Sequence, residues 1–292
     1  RFGGDAVSMI DTINGILAEY EAEGYDLSLR QLYYQLVSRN VVENTERSYK
    51  NVGNLVSDAR LAGLIDWDII KDRGRVMVRN SHWTDPADIV ESAAHSFRID
   101  RWEDQPRYVE VMVEKQALEG VLVPVCEELD VPFTANKGYS SSSALYEASK
   151  RFLRREDKEC WVIYLGDHDP SGIDMSRDVL ERLELFCGNG AGGCDLNLNR
   201  VALNMDQIKK LRPPENPAKI TDSRADSYIA RFGRASWELD AIEPKALAKL
   251  VRDAVNRLID KPLWKLSGAK QESMRAELLE FSKNYKSKDE DP

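Results

Sequence analysis

The segment CWVIYLGDHD, residues 160–169, sets six apolar or aromatic residues in unbroken succession ahead of two acids. A strand without alternation is buried on both faces, and in one sheet that means parallel neighbours covered by helices. The flanking sequence has the matching rhythm. YVEVMVE (108–114), VPFTAN (131–136) and RVALN (200–204) read as further strands. Helical patterns fill the gaps over Lys115–Leu129, Ser142–Arg154 and Ser171–Phe186. Strands alternating with helices predict an α/β fold, a parallel sheet with flanking helices, from residue 108 onward. The tail from Ser223 reads as helical, broken at Pro244 and Pro262, and closes on the charged KSKDEDP.

The first 85 residues have a different period. Val7, Ile10, Ile13, Leu17 and Tyr20 recur at helical spacing; Ser28 is placed to cap a second helix carrying Leu29, Leu32, Tyr33 and Leu36. A third helix is expected from Thr45 to Ala62, ended by Gly63, and IIKDRGRVMVRN reads as two short strands about Asp72–Gly74. Three helices and a hairpin are the parts of a winged helix. Another helix is expected over Thr84–Phe97, and RIDRWEDQPR (98–107) reads as a polar connector. The expected division is therefore a mainly helical winged-helix domain over 1–100, preceding an α/β domain with a helical extension over 101–292.

The net charge of −9 over 292 residues argues against a protein that coats nucleic acid nonspecifically, since such proteins carry a basic excess. No apolar run approaches the ~18 residues of a spanning helix, so no membrane partner and a cytoplasmic location are expected. Cys126, Cys160, Cys187 and Cys194 form no CxxC pair with a second His/Cys pair beside it. Reduced thiols, with a surface loop at CGNGAGGC, are the expectation.

In an open parallel sheet, ligand chemistry gathers beyond the carboxyl ends of the strands. Glu114 ends the strand at 108–114; Asp167 and Asp169 follow the one at 160–165, and Pro170-Ser171-Gly172 turns the chain into a helix. Residues two apart in extended chain share a side, so Asp167 and Asp169 can converge while His168 points away. Such acids also serve as helix caps or surface ion pairs. As a converging set they would suit a hard cation, Mg²⁺ or Mn²⁺.

The segments VEKQALEGVL and LGDHDPSGIDM resemble the Toprim domain, in the version found in the type IIB topoisomerase A subunit and its meiotic double-strand-break relatives. The resemblance covers about residues 108–204. It implies that Glu114, Asp167 and Asp169 hold Mg²⁺, with Glu114 also a proton donor or acceptor. Those relatives place an Arg four residues before a catalytic Tyr in a preceding winged helix. Arg30 and Tyr34 have that order and spacing, which implies a tyrosine nucleophile, although spacing alone favours core packing for aromatic residues on a helix. Lys115 is open to two readings, a solvated helix-start residue or a phosphate contact. Asp222, Arg224, Glu238 and Asp240 are expected as caps and ion pairs, with lining of the site the alternative.

A winged helix would set its third helix near a groove of double-stranded DNA and its wing against the backbone. Lys50 and Arg60 on the helix, and Lys71, Arg73, Arg75 and Arg79 on the hairpin, are the expected contacts. The expected function is Mg²⁺-dependent DNA breakage by topoisomerase-like tyrosine transesterification. The alternatives are a hydrolytic Toprim nuclease, conceivably acting against mobile DNA, and a noncatalytic DNA-binding subunit of an ATPase complex. A homodimer and a separate ATPase subunit are implied by the resemblance.

Overall fold

The computed structural model describes residues 2–25, 27–70, 80–136, 138–188 and 194–289. In chain order the elements are α1 (Gly4–Ala22), α2 (Leu29–Ser38), α3 (Glu46–Leu61), α4 (Pro86–Ser96), β1 (Arg107–Val113), α5 (Glu119–Glu128) and β2 (Phe133–Ala135). Then follow α6 (Ser142–Leu153), β3 (Glu159–Leu165), α7 (Pro170–Cys187), β4 (Asp195–Ala202), α8 (Met205–Leu211) and β5 (Asn216–Pro217). The chain closes with α9 (Ala225–Phe232), β6 (Ala235–Ser236), α10 (Pro244–Asn256) and α11 (Lys261–Asp289). Single 3-10 turns stand at Gln116–Leu118 and Leu239–Ala241.

Contacts gather the chain into two compact units, Arg1–Arg73 with Val109–Arg257, and Gly74–Tyr108 with Leu258–Pro292. Both are made of discontinuous segments, a grouping that a linear boundary at residue 100 does not anticipate.

In the first unit, α1, α2 and α3 close on one apolar core. Ile13, Ile16 and Leu17 meet Leu32, Tyr33, Tyr34 and Leu36 of α2 and Val52, Val56 and Ala59 of α3. Both later helices begin where their caps dictate. Ser28 and Gln31 form a reciprocal capping box at α2, and the Thr45 side chain accepts the Ser48 N–H at α3. Gly63 takes a positive φ just past α3, as a helix stop requires. Ala241, from the turn after β6, joins this core and fixes a late segment of sequence against the first helices. Of the expected hairpin, Ile70 bridges in parallel to Leu27, and residues 71–79 lie outside the described residues.

The sheet of the same unit is four-stranded and parallel, in the order β2-β1-β3-β4. Every residue of β1 from Tyr108 to Val113 is buried, as expected for a strand covered on both faces. α5 packs on α10 and α6 on α7; α10 reaches β3 and β4, and α7 reaches β4. From β1 the chain crosses to one edge and from β3 to the other, so the two central strands flank a topological switch point, where α/β sheets bind ligands. The β3–β4 register slips between Tyr164 and Leu165, with Arg200 opposite the first and Ala202 opposite the second. The extra residue, Val201, bulges beside the strand end that carries the acids.

In the second unit, α4 packs along α11. The expected polar connector is structured: Trp102 is buried and meets Trp264 edge-on at 5.5 Å, while the Arg101 guanidinium lies 3.7 Å from the Trp264 ring centroid. Gln105 pairs in both directions with the backbone of Asp260, at 3.1 and 2.7 Å. Pro244 and Pro262, expected to break helices, stand in the first turns of α10 and α11, where a missing N–H costs nothing. Residues 233–242 between α9 and α10 are strand and turn, contrary to an all-helical tail.

Candidate active site

Glu114 leaves β1 beside the end of β3, its N–H donating to the Leu165 carbonyl at 2.9 Å. Its carboxylate turns under the neighbouring loop and accepts the Asp167 N–H at 2.9 Å. Two glycines make room for it. A Cβ on Gly166 would stand 2.9 Å from Glu114 Oε2; one on Gly172 would stand 3.1 Å from the same oxygen and 2.3 Å from the Asp167 carbonyl. The Gly of Asp-x-Asp-Pro-x-Gly is thus required first by the Asp167 carbonyl and then by the acid on the adjacent strand. Burial, and then the like charge of Asp167, push the Glu114 carboxyl up to about 7.

Asp167 and Asp169 part company in the loop. Asp167 sends Oδ1 to the Leu239 N–H at 2.7 Å and Oδ2 to the Lys115 ammonium at 2.8 Å. Burial nevertheless raises its pKa. Asp169 caps α7, accepting the Gly172 N–H at 2.6 Å and the Ser171 hydroxyl at 3.0 Å. Both acids act on Glu114 as like charges, so Glu114 is the member that joins the set. His168 points the other way, into Tyr228, Phe232 and Trp237, with Nδ1 2.7 Å from the Tyr228 hydroxyl. Burial, and then Arg200, lower its pKa to about 4, so it sits there as a neutral imidazole.

Lys115 is neither a solvated side chain nor open to a ligand. Its ammonium lies 2.8 Å from Asp167 and 3.0 Å from both Glu238 and Asp240. Burial opposes its charge, but Asp167, Asp240 and Glu238 outweigh that and hold its pKa above the ordinary lysine range. Glu238 and Asp240 therefore line the site, whereas Asp222 and Arg224 pair with each other at 3.1 Å and Arg224 pairs with Asp174. The segment bearing Glu238 is pinned in place, because Trp237 exchanges backbone hydrogen bonds with His168.

Arg30 ties the helical part of the unit to this cluster, bonding Glu238 and lying 3.5 Å from Asp240. Tyr34 stands one turn further along α2, where the Arg30 charge acts to lower its pKa, and its hydroxyl accepts from Asn216 Nδ2 at 3.3 Å. The pair expected from spacing and the acids expected from the sheet are thus joined through Arg30, Glu238 and Lys115. Tyr34 is also a core residue, only 3% exposed. Burial, and then Glu238, raise its pKa, so the phenol is protonated at neutral pH. Beside it opens a cleft of about 610 Å³, lined among others by Arg30, Tyr33, Tyr34, Tyr49, Lys50 and Lys219.

Arg200 was not foreseen. Its guanidinium donates to the carbonyls of Gly172 at 3.0 Å, Gly166 at 2.9 Å and Asp167 at 2.6 Å, clamping the acidic loop from β4. Nothing in the local pattern of RVALN marks that role, which depends on the bulge at Val201. The expected DNA contacts fare unevenly. Lys50 is exposed and pairs with Glu46 at 2.7 Å. Arg60 donates to the carbonyls of Trp67 and Ile70 and lies over the Trp67 ring, which commits it to the turn after α3. Lys71, Arg73, Arg75 and Arg79 lie outside the described residues.

Among the described residues, no three acids, histidines or cysteines stand ready-made to hold a metal ion. The donor chemistry nonetheless suits a hard divalent cation. Asp240 Oδ1 is buried without a hydrogen-bond partner. Five carboxylates, of Glu114, Asp167, Asp169, Glu238 and Asp240, share the cluster with the cations of Lys115, Arg30 and Arg200. Acids outnumber bases there, a deficit of positive charge that a divalent ion would offset. No helix among the described residues is long and apolar enough to cross a membrane. Neither a protein-family model nor a curated relative matches the chain.

Proposed function

We propose that this protein breaks DNA strands at the carboxylate cluster by a topoisomerase-like transesterification, with Tyr34 as nucleophile. The observation that carries the reading is that Tyr34 lines one cleft with Arg30 and Glu238, and that Arg30 leads through Glu238 to Lys115 and Asp167, bringing a tyrosine near an acid cluster distant in sequence. The resemblance of Glu114 and Asp167-x-Asp169-Pro-x-Gly to the Toprim pattern points the same way, as does Arg30 four residues before Tyr34. Glu114, Asp167 and Asp169 would hold Mg²⁺ or Mn²⁺, which when bound supplies positive charge to the phosphate and to the departing oxygen.

In this reading the phenol oxygen of Tyr34 attacks phosphorus and gives up its proton. The bond from phosphorus to a deoxyribose oxygen breaks, and the freed hydroxyl takes a proton. The resemblance makes Glu114 the group that gives or takes that proton, and burial favours its protonated form in the metal-free protein. Arg30 lowers the cost of the phenolate and offers its guanidinium to the phosphate. Double-strand breakage would need two such tyrosines, hence a homodimer, and strand passage a separate ATPase subunit.

The burial of Tyr34 favours a second reading, in which water attacks and Tyr34 only packs the core. Supercoiled plasmid incubated with Mg²⁺ or Mn²⁺, stopped with detergent and run with and without protease, separates the two. Transesterification requires protein-linked ends that vanish in both Tyr34→Phe and Asp167→Asn. Free ends that vanish only in Asp167→Asn establish the nuclease, and intact plasmid throughout sinks both.

A further inference from the structure

The cleft beside Tyr34 is built for more than passage of a backbone. Its floor is α2, with Arg30 and the buried rings of Tyr33 and Tyr34; one wall is the start of α3, with Tyr49 and Lys50, and the rim includes Lys219. Tyr33 meets Tyr49 nearly perpendicular, 78° at 5.2 Å between centroids. Tyr49 is only partly buried and lines the cleft, so part of its ring is offered there. The two acids of the lining are already neutralised, Glu46 by Lys50 and Glu238 by Arg30 and Lys115. Lys219 is exposed and has no ion pair among the described residues, so the balance at the rim favours an anion.

A stacking face, a surplus cation and an arginine within one cavity make up the chemistry that holds a nucleotide by base and phosphate together. The volume, about 610 Å³, is that of a pocket for a single small ligand, roughly 300–1,000 Å³, not of a trough for a duplex. Within a duplex both faces of a base are covered by its neighbours. Only a base outside the stack can present a face to Tyr49.

Resting on the reading that Tyr34 acts on DNA, we propose that the cleft takes up one unpaired nucleotide, its base on Tyr49 and its phosphate between Arg30 and Lys219. The protein then selects DNA that is bulged, gapped or single-stranded at the point of cleavage, because uptake from intact duplex requires breaking a pair and two stacks.

The test is fluorescence anisotropy in EDTA, so that no strand is cut, with the full chain and two labelled oligonucleotides. One is a fully paired duplex; the other is the same duplex with a single bulged 2-aminopurine. The wild type is expected to bind the bulge at least tenfold tighter and to quench the 2-aminopurine. Tyr49→Phe keeps the preference; Tyr49→Leu, which retains apolar bulk against Tyr33, loses it along with the quenching; Lys219→Ala weakens binding of the bulge several-fold. Equal affinity for both oligonucleotides, or a preference that survives Tyr49→Leu in a protein of unchanged melting temperature, overturns the proposal. Tyrosine-linked cleavage of paired plasmid in the same preparations would leave the proposed function standing when this inference fails, whereas absence of binding to either oligonucleotide removes both.

Discussion

Glu114 shows how much one side chain can demand of its neighbours. Its carboxylate lies against the space where side chains at positions 166 and 172 would begin, and at 172 the Asp167 carbonyl closes that space altogether. Gly172→Ala is expected to destabilise by about 1–3 kcal/mol, through overpacking against the Asp167 carbonyl. Gly15, exposed in mid-α1 with nothing near its would-be Cβ, should answer in the opposite sense, Gly15→Ala stabilising by roughly 0.5–1 kcal/mol. Urea melts of the two variants against wild type check the contrast, and loss of stability at both positions would refute the cradle argument. The meeting of Glu114 with Asp167 was legible, because both stand where β1 and β3 end. Arg200 and Lys115 were not. Arg200 looks like any basic residue in a strand until a bulge turns it toward the loop, and Lys115 is recognised only once Glu238 and Asp240, over a hundred residues away, are placed around it.

Among elements, the helix starts were the most legible feature, since a cap is local chemistry. Ser28 before α2 and Thr45 before α3 each accept a first-turn N–H, as their positions suggested, and Asp85 does the same before α4. Ser28→Ala and Thr45→Ala should each cost about 1 kcal/mol in a denaturant melt. If α2 carries the nucleophile, Ser28→Ala should also slow cleavage more than Thr45→Ala does, since α2 alone bears Arg30 and Tyr34. Equal rates in the two variants would detach α2 from the chemistry. What periodicity missed were short pieces defined by distant partners. Residues 233–242 read as part of a helical tail, yet Ala235–Ser236 pairs with Asn216–Pro217, and Trp237 with His168. No local pattern announces a two-residue strand.

For the whole molecule, the parallel sheet was readable from one continuous apolar run and from strands alternating with helices, while the grouping into units was not, because contacts between distant segments leave no local signature. The charge deficit of the acid cluster makes a prediction at this scale. Binding of a divalent cation to the folded state raises stability by RT ln(1 + [L]/Kd), so ten millimolar Mg²⁺ or Mn²⁺ should raise the melting temperature of the wild type. The shift should shrink in Glu114→Gln and Asp167→Asn; an identical shift in all three proteins would place the ion elsewhere.

The discontinuous second unit also governs the order in which the molecule can be completed. On the ribosome, the segment Gly74–Tyr108 emerges early, but its partner Leu258–Pro292 follows only after Val109–Arg257 has been made. At about 5–20 residues per second, that leaves Ala87, Ala94 and Trp102 uncovered for many seconds while residues 109–257 are being made. A nascent chain of this protein therefore shows α4 to chaperones and proteases until α11 has been made and closes that window.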